Sequence, residues 1–506
     1  MKGFYRTVAI VTIFSVAEKF LGFLYRVYLS RTIGSEGIGL YQVALSVFAL
    51  LLTITCSGTP ITVSRLMTKY RAEGREDKVK KVITAGLSFT LAIALPIALI
   101  FMLFGSSFSF LFADERCLSV FLIVIPGLIF TSIYSVLRGV FWGNKDFLPY
   151  SVTELLEEIC MIIAGIFLIE RATSVENGVA RAGLAVLVSY IFSFSLATAV
   201  FIFRKNKLKN PISEFKPLLL SAIPVTAMRT ANSFTSSLVS IILPLRLIEA
   251  GFEQAGAMSA FGAAVGQAFP LLYVPTTLIG SFILVLVPEI SENYYKKQHF
   301  YLKRNVEKAL KFTAILSAVF VPIFFVCGEE IGILVFDGHE CGEYLTAASF
   351  LMLFMSLSSI TTSILNSMGL EHKTLIYYLL SGVFMLIAIY SLPKYIGIYS
   401  LIVGYTFIYG ITTVLNLVLL DRNCEQKPKY LKHLFGITLL IIPTSIFGMM
   451  LERILLPILG TLVTFLVSSI LMACFYFILA FVFGLINVKI FKSKFKSRRH
   501  AVNTTV

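Results

Sequence analysis

The stretch Val8-Ala-Ile-Val-Thr-Ile-Phe-Ser-Val-Ala-Glu18-Lys19-Phe-Leu-Gly-Phe-Leu-Tyr-Arg26-Val-Tyr-Leu29 decides how the rest of the chain is read. It is long and apolar enough to cross a bilayer, yet it carries cations in its interior. At about 100° per residue, Lys19 and Arg26 lie nearly two helical turns apart, on one face, separated by about 10 Å along the axis. An ionised group at bilayer depth costs about 2.5–3.5 kcal/mol on insertion scales, so it faces a protein interior or a wet cavity. Two cations on one face point to a cavity that receives an anion.

The whole chain repeats this apolar pattern. Of its 506 residues 57% are hydrophobic and only 14% charged, against about 25% in a soluble domain. Mean hydropathy is +0.86. Apolar runs of about 20 residues, the length of a spanning helix, recur throughout, and the short alternating strands of a membrane barrel do not. The expected fold is an all-α polytopic membrane protein with about 14 transmembrane helices. They fall near 8–29, 38–60, 82–112, 118–142, 149–170, 179–203, 217–243, 257–288, 309–336, 343–368, 374–393, 396–420, 433–452 and 457–486. The first run is followed by Arg26 and Arg31 rather than a small-residue cleavage site, so it is expected to stay as a span.

The net charge of +15 has its source in the loops. Lys and Arg collect in alternate connections: the 65–81 loop, the 204–216 loop, the 296–311 loop, the 422–432 loop and the tail Lys489–Arg499. The intervening loops are short and often acidic, as in Asp337-Gly-His-Glu340-Cys-Gly-Glu343. This is the positive-inside pattern, and it puts both termini in the cytoplasm. The electrostatic partner is then anionic inner-leaflet lipid, not nucleic acid. The Arg65–Lys81 segment reads as an amphipathic helix on that leaflet.

The chain also echoes itself. Leu111-Phe-Ala-Asp114 returns as Val335-Phe-Asp-Gly338, Gly143-Asn-Lys145 as Gly369-Leu-Glu-His-Lys373, and the basic loop Lys69–Lys81 as Tyr295–Lys308. The offset is nearly constant. Six spans per copy is an even number, so the copies share one orientation, a common transporter plan with a site between the halves. The expected organisation is two parallel six-helix repeats, 1–210 and 211–425, followed by two extra helices and a basic cytoplasmic tail in 426–506.

Chemistry is sparse. The seven Cys are scattered without a CxxC and read as buried small hydrophobes. No Walker loop, GxSxG, HExxH or dinucleotide motif is present, so no enzyme, metal or cofactor is expected. The remaining polarity is mid-span. The seventh run reads Ser221-Ala-Ile-Pro224-Val-Thr226-Ala-Met-Arg229-Thr230-Ala-Asn232-Ser233-Phe-Thr235-Ser236-Ser237. Thr226, Asn232, Ser233 and Ser236 stand three- or four-residue steps from Arg229 and form a polar stripe.

Spans one and seven are equivalent in the repeat, so each copy supplies a cation. A guanidinium presents forked donors matched to phosphate oxygens, and an ammonium adds a point charge. Lys19, Arg26, Arg229 and Asn232 are therefore the candidate substrate-binding residues. For Arg26 the competing reading is snorkelling to the headgroups, and for Lys19 pairing with an acid.

Gly58, Pro60, Gly266, Pro270 and Pro275 interrupt spans two and eight and read either as gating hinges or as close-packing positions. Glu154, Glu157 and Glu158 share a helix face. They read either as a solvated helix end or as partners of Arg138 and Lys145. A third reading makes Glu154 and Glu157 ligands of a coupling cation.

Leu21-Gly-Phe-Leu-Tyr-Arg26, then Leu29-Ser-Arg31-Thr-Ile-Gly34-Ser-Glu-Gly37-Ile-Gly-Leu40-Tyr41-Gln42, resembles the opening of the polysaccharide-transporter branch of the MATE-like flippase superfamily. Thr59-Pro60-Ile-Thr-Val-Ser64-Arg65 and Leu137-Arg138-Gly139-Val-Phe-Trp-Gly143 resemble its second- and fourth-span exits. The resemblance covers essentially the whole chain. It implies a flippase for an undecaprenyl-pyrophosphate-linked saccharide; the chain is expected to work as a monomer. In the sporulation members of the branch the cargo is a precursor of cortex peptidoglycan, and the membrane is that of the forespore. It also implies a cavity lined by basic residues, with Lys19 where an Arg is common. Two rivals remain: a MATE-type exporter of cations, which needs a carboxylate-rich cavity, and a glycosyl polymerase or ligase, which needs a long outer loop with acids or His.

Overall fold

Apolar runs without β-type alternation fold as helices, and no strand occurs among the described residues. The computed structural model describes residues 2–205, 208–426, 428 and 430–485. Lys207 and the tail Lys489–Arg499 lie outside them.

The first two runs form one long helix, α1 (Lys2–Cys56), broken only at Gly34. There φ is +73° and ψ 177°, a backbone region open essentially to glycine alone. Next come α2 (Thr59–Ala72), α3 (Glu76–Phe104), α4 (Glu115–Val124), α5 (Gly127–Gly143), α6 (Phe147–Ile169), α7 (Val175–Phe203) and α8 (Ile212–Glu249). The eighth run is α9 (Gln254–Phe261), a π-helix at Gly262–Ala268 and α10 (Phe269–Tyr295). The rest is α11 (His299–Val326), α12 (Gly328–Phe336), α13 (His339–Ala348), α14 (Leu351–Ser367), α15 (Glu371–Ser391), α16 (Pro393–Ile396), α17 (Ser400–Asn423), α18 (Leu431–Leu439) and α19 (Ile441–Val482). α19 is broken at Gly460, again at positive φ.

Among the described residues nine helical stretches are long and apolar enough to cross a membrane, or eleven if the bent pairs α4–α5 (45°) and α13–α14 (57°) each count as one. Pro126 caps the second helix of the first bend. The continuous stretches Val11–Ala72 and Leu431–Val482 are each long enough for two crossings. α6 has the length as well, but carries Glu154, Glu157 and Glu158. The helix order is thus compatible with the 14 runs of the sequence.

Packing divides the chain into two compact units, Met1–Pro270 with Leu386–Leu401, and Leu271–Met385 with Ile402–Val506. In the first, α2, α3, α5 and α7 share a core that includes Val63, Met67, Val82, Val136 and Val140. Gly139 on α5 lies so close to α2 that a Cβ there would come within 2.7 Å of the Pro60 carbonyl oxygen. Arg246, near the end of α8, holds the Leu386–Leu401 segment to this unit. Its Nε donates to the Tyr390 carbonyl at 2.8 Å and its guanidinium lies over the Tyr390 ring. In the second unit Leu302, Val306, Leu310, Ile360, Ile364 and Leu420 form the core. Asn416 Nδ2 on α17 clamps α14 through Thr361 (3.2 Å) and Thr362 (2.9 Å).

The Arg65–Lys81 segment corrects its expected form. It is the end of α2, a tight turn at Gly74 (φ +70°) and the start of α3, and Leu66, Met67 and Tyr70 are in the core. Its charges work locally. Glu214, at the start of α8 and 1% exposed, accepts from Tyr70 Oη at 2.6 Å and lies 3.5 Å from Lys78 Nζ. Glu214→Ala removes the acceptor from a buried hydroxyl and a cation, at an expected cost of about 1–3 kcal/mol. Thermal unfolding of the purified variant in detergent checks this, and an unchanged midpoint would refute it.

Candidate functional site

Arg26, the second cation of the first run, belongs to a polar seam inside the first unit. Arg26 is half-buried on α1, and Nη1 donates to the Gly266 carbonyl at 3.2 Å. Gly266 stands in the π-helix, where the wider turn takes carbonyls out of the normal i→i−4 ladder. One residue on, Gln267 Nε2 donates to Ser30 Oγ (2.6 Å) and Ser35 Oγ (3.0 Å), both on α1. The buried Gln267 Oε1 has no hydrogen-bond partner.

The seam is possible because two glycines face each other. A Cβ on Gly39 would overlap the Met258 carbonyl, and one on Gly262 would overlap the Ser35 carbonyl. The run Gly262-Ala-Ala-Val-Gly266 is the sequence signal for this close approach. It does not by itself distinguish a π-helix from an α-helix.

The other side of α1 meets α6. Glu158 Oε1 lies 2.9 Å from where a Cβ on Gly22 would be, and Glu158 and Tyr41 are the charged or ionisable neighbours that act on Arg26. Glu18 is half-buried with Glu154, Lys19 and Arg138 around it. Glu154 accepts from Tyr134 Oη at 2.6 Å and sits 3.6 Å from Arg138 Nη1. Glu157 neighbours Glu154, Ser193 and Arg138.

The three carboxylates lie two or more turns inside α6, and none is exposed. A solvated helix end is thereby excluded, and the Arg138 pairing is realised for Glu154. Among the described residues no group of three or more His, Cys, Asp or Glu is arranged to hold a metal. Glu18 and Gln267 are site neighbours that the sequence pattern does not mark. The spacing Glu154/Glu158 with Arg138 was the available signal.

The remaining candidates are more dispersed. Lys19 is exposed and makes no ion pair among the described residues. Arg229 and Asn232 are exposed on α8 and share no hydrogen bond or ion pair with Lys19 or Arg26. Their helix instead follows the second half of α1, through Ser237 Oγ donating to the Ser46 carbonyl at 2.7 Å. Gly58 sits at the α1–α2 bend, where a Cβ would overlap Thr226 Oγ1 and come within 2.7 Å of the Ala222 carbonyl oxygen. Pro60 is in the first turn of α2, where no N–H is required. Pro270 occupies the first turn of α10, while Pro275 is interior to α10, in the second unit. A cavity of about 580 Å³ flanks the Arg229 stretch, lined by Ile54, Phe89, Ile223, Thr226, Thr230 and Phe234 among others.

A single-chain, α-helical membrane protein with a basic residue inside its first span is a familiar plan, and the comparisons define which. Residues 4–294 match the polysaccharide biosynthesis protein family. The chain belongs to that family.

Among curated relatives this family member is 26% identical over 352 residues to stage V sporulation protein B of Bacillus subtilis (strain 168), covering 67% of its own length and 68% of the relative's. It is 24% identical over 372 residues to the lipid II flippase MurJ of the same organism, covering 65% and 63% of the two chains. Among solved structures it superposes on the lipid II flippase MurJ in an inward closed conformation with a TM-score of 0.74 at 15% identity, over 94% of this chain and 98% of the other. An inward-facing multidrug resistance MATE transporter gives 0.66 at 14% identity, over 80% and 93%. These structures share the fold.

Proposed function

We propose that this family member is a flippase that moves an undecaprenyl-pyrophosphate-linked saccharide across a membrane by alternating access, the cargo being a peptidoglycan precursor for the spore cortex. The observation that carries the reading is Arg26. It is a half-buried guanidinium on a spanning helix, and its single hydrogen bond among the described residues goes to a backbone carbonyl. A carbonyl is a weak acceptor beside a pyrophosphate oxygen, which accepts charge-assisted and bidentate bonds from the same fork. Lys19, exposed on the same face, adds a second positive charge, and Arg229 with Asn232 on α8 supplies further donors.

Gly58 and Gly266, at points of backbone contact, and Pro60, Pro270 and Pro275 are the positions at which the helices would bend between states. The chain works as a monomer in the cell or forespore membrane with both termini cytoplasmic. The two six-helix repeats divide near residue 210.

The face formed by Glu18, Glu154, Glu157 and Glu158 favours a second reading, a cation exporter. Glu154 is already engaged by Arg138 and Tyr134, and Glu158 is an electrostatic neighbour of Arg26. In that reading Glu157 would take the coupling proton or ion beside Glu154, which would have to release Arg138 to share it.

The test is ligand-induced stabilisation of the purified chain. Undecaprenyl-pyrophosphate disaccharide at 100 times its Kd raises the unfolding free energy by about 2.7 kcal/mol, while a lipophilic organic cation leaves it unchanged. The reverse pattern would select the exporter.

A further inference from the structure

The second unit holds a group of tyrosines that the proposed anion site does not use. Tyr273 on α10, Tyr378 on α15, and Tyr405 and Tyr409 on α17 converge. The Tyr273 and Tyr409 hydroxyls are 3.5 Å apart, with either able to donate. The rings of Tyr405 and Tyr409 stack with centroids 5.7 Å apart and planes 13° from parallel. Tyr273 and Tyr378 act electrostatically on both Tyr405 and Tyr409.

Their depth is unusual. All four lie at least seven residues inside the candidate spans Gln254–Gly280, Glu371–Ser391 and Pro393–Asn423, about 10 Å from the nearest span end. Interfacial tyrosines belong at the headgroup level instead. Tyr378, Tyr405 and Tyr409 also lie away from the exposed apolar residues of their helices, whereas Tyr273 is exposed on α10 near Val274 and Leu278. On α15 the exposed apolar stripe is Ile376, Leu379, Leu380, Val383 and Ile387, and Tyr378 lies about 200° round the axis from Ile376. On α17 Phe407 is exposed, and Tyr405 and Tyr409 are each two residues from it, again about 200° away. Yet none of the four is fully buried, and Tyr273 is 44% exposed. Phenol hydroxyls this far along spanning helices, three of them turned from the exposed apolar side and none fully buried, are better met by a wet or ligand-filled space than by hydrocarbon.

We infer that Tyr273, Tyr378, Tyr405 and Tyr409 form a seat for a neutral saccharide ring. The group offers hydroxyls that both donate and accept, and flat apolar faces, with no net charge. That matches a polyhydroxylated ring, which presents both kinds of hydrogen-bonding group at its rim and C–H bonds on its faces. The four side chains themselves carry no positive charge for an anion. An organic cation would be met by aromatic faces, but the shortest approach in the group is between hydroxyls.

The inference rests on the lipid-linked saccharide reading above, and the experiment separates the two. Binding to the purified full-length chain is measured with undecaprenyl-pyrophosphate disaccharide, with undecaprenyl pyrophosphate lacking the sugar, and with tetraphenylphosphonium. The double variant Tyr273→Phe/Tyr409→Phe keeps both rings and removes two hydroxyls. It is expected to weaken the sugar-bearing lipid about tenfold, as for two neutral hydrogen bonds, and to leave the sugarless lipid unchanged. Tyr409→Ala, which also removes a stacked ring, is expected to weaken the sugar-bearing lipid further.

Equal loss for both lipids, or no loss for either, would overturn the saccharide seat while leaving the flippase reading standing. Wild-type protein that binds neither lipid would overturn both. Binding of the phosphonium that survives Tyr273→Phe/Tyr409→Phe and is lost in Tyr409→Ala would replace the seat with a cation cage.

Discussion

Arg26→Ala is expected to reduce translocation of a lipid-linked saccharide by about tenfold or more, with folded protein still present in the membrane. The size follows from the loss of one or two charge-assisted hydrogen bonds to a pyrophosphate, each worth about 1.5–3 kcal/mol. Arg26 also has a structural contact, the bond from Nη1 to the Gly266 carbonyl, and the two roles are separable. Arg26→Gln carries no charge and its amide ends two bonds short of the Nη1 that meets that carbonyl, so it is expected to lose transport and, beyond that one hydrogen bond, to keep its thermal stability. Arg26→Lys keeps the charge and loses the fork, so it falls between. Initial rates in proteoliposomes, with unfolding midpoints measured beside them, check the series. Full transport in Arg26→Gln would remove Arg26 from the substrate site.

Gly262→Val is expected to abolish correct packing of α1 against the eighth run. The Cβ would overlap the Ser35 carbonyl oxygen and stand 2.7 Å from the Gly39 nitrogen. The obstacle is backbone rather than a side chain that can rotate away. Overpacking of a core costs about 1–3 kcal/mol where side chains can adjust. Here the helices must separate, which also breaks the bonds of Gln267 to Ser30 and Ser35. The expected result is little folded protein on extraction. Gly256→Val on the preceding helix has nothing within 4 Å and serves as the control, with near wild-type yield. Equal yields from the two would contradict the close approach.

Much of this molecule was legible because a bilayer imposes length and polarity on every span. The 82–112 run is α3 with its short 3₁₀ extension, and the 149–170 run is α6, within a few residues. Breaks were harder to see. Gly34 and Gly460 interrupt long helices through positive φ, a property no hydropathy pattern carries. Arg65–Lys81 has the charge alternation of a surface helix, but its apolar residues belong to the core of the first unit.

At the site, Arg26 was identifiable from the cost of a mid-span charge. Its present partner is a backbone carbonyl, and side-chain spacing cannot predict backbone acceptors. Glu154 with Arg138 could be read from complementary charge on neighbouring runs. The Gln267 contacts could not, because they depend on the π-helical turn that rotates that side chain toward α1.

The central claim is that the chain translocates an anionic, lipid-linked saccharide. The most direct measurement reconstitutes the purified chain in liposomes loaded on one leaflet with a fluorescent undecaprenyl-pyrophosphate disaccharide, and follows its appearance on the other leaflet with an impermeant quencher. The account predicts translocation well above protein-free liposomes that is lost in Arg26→Ala. Translocation no faster than in empty liposomes, together with export of a lipophilic cation by the same preparation, would contradict it.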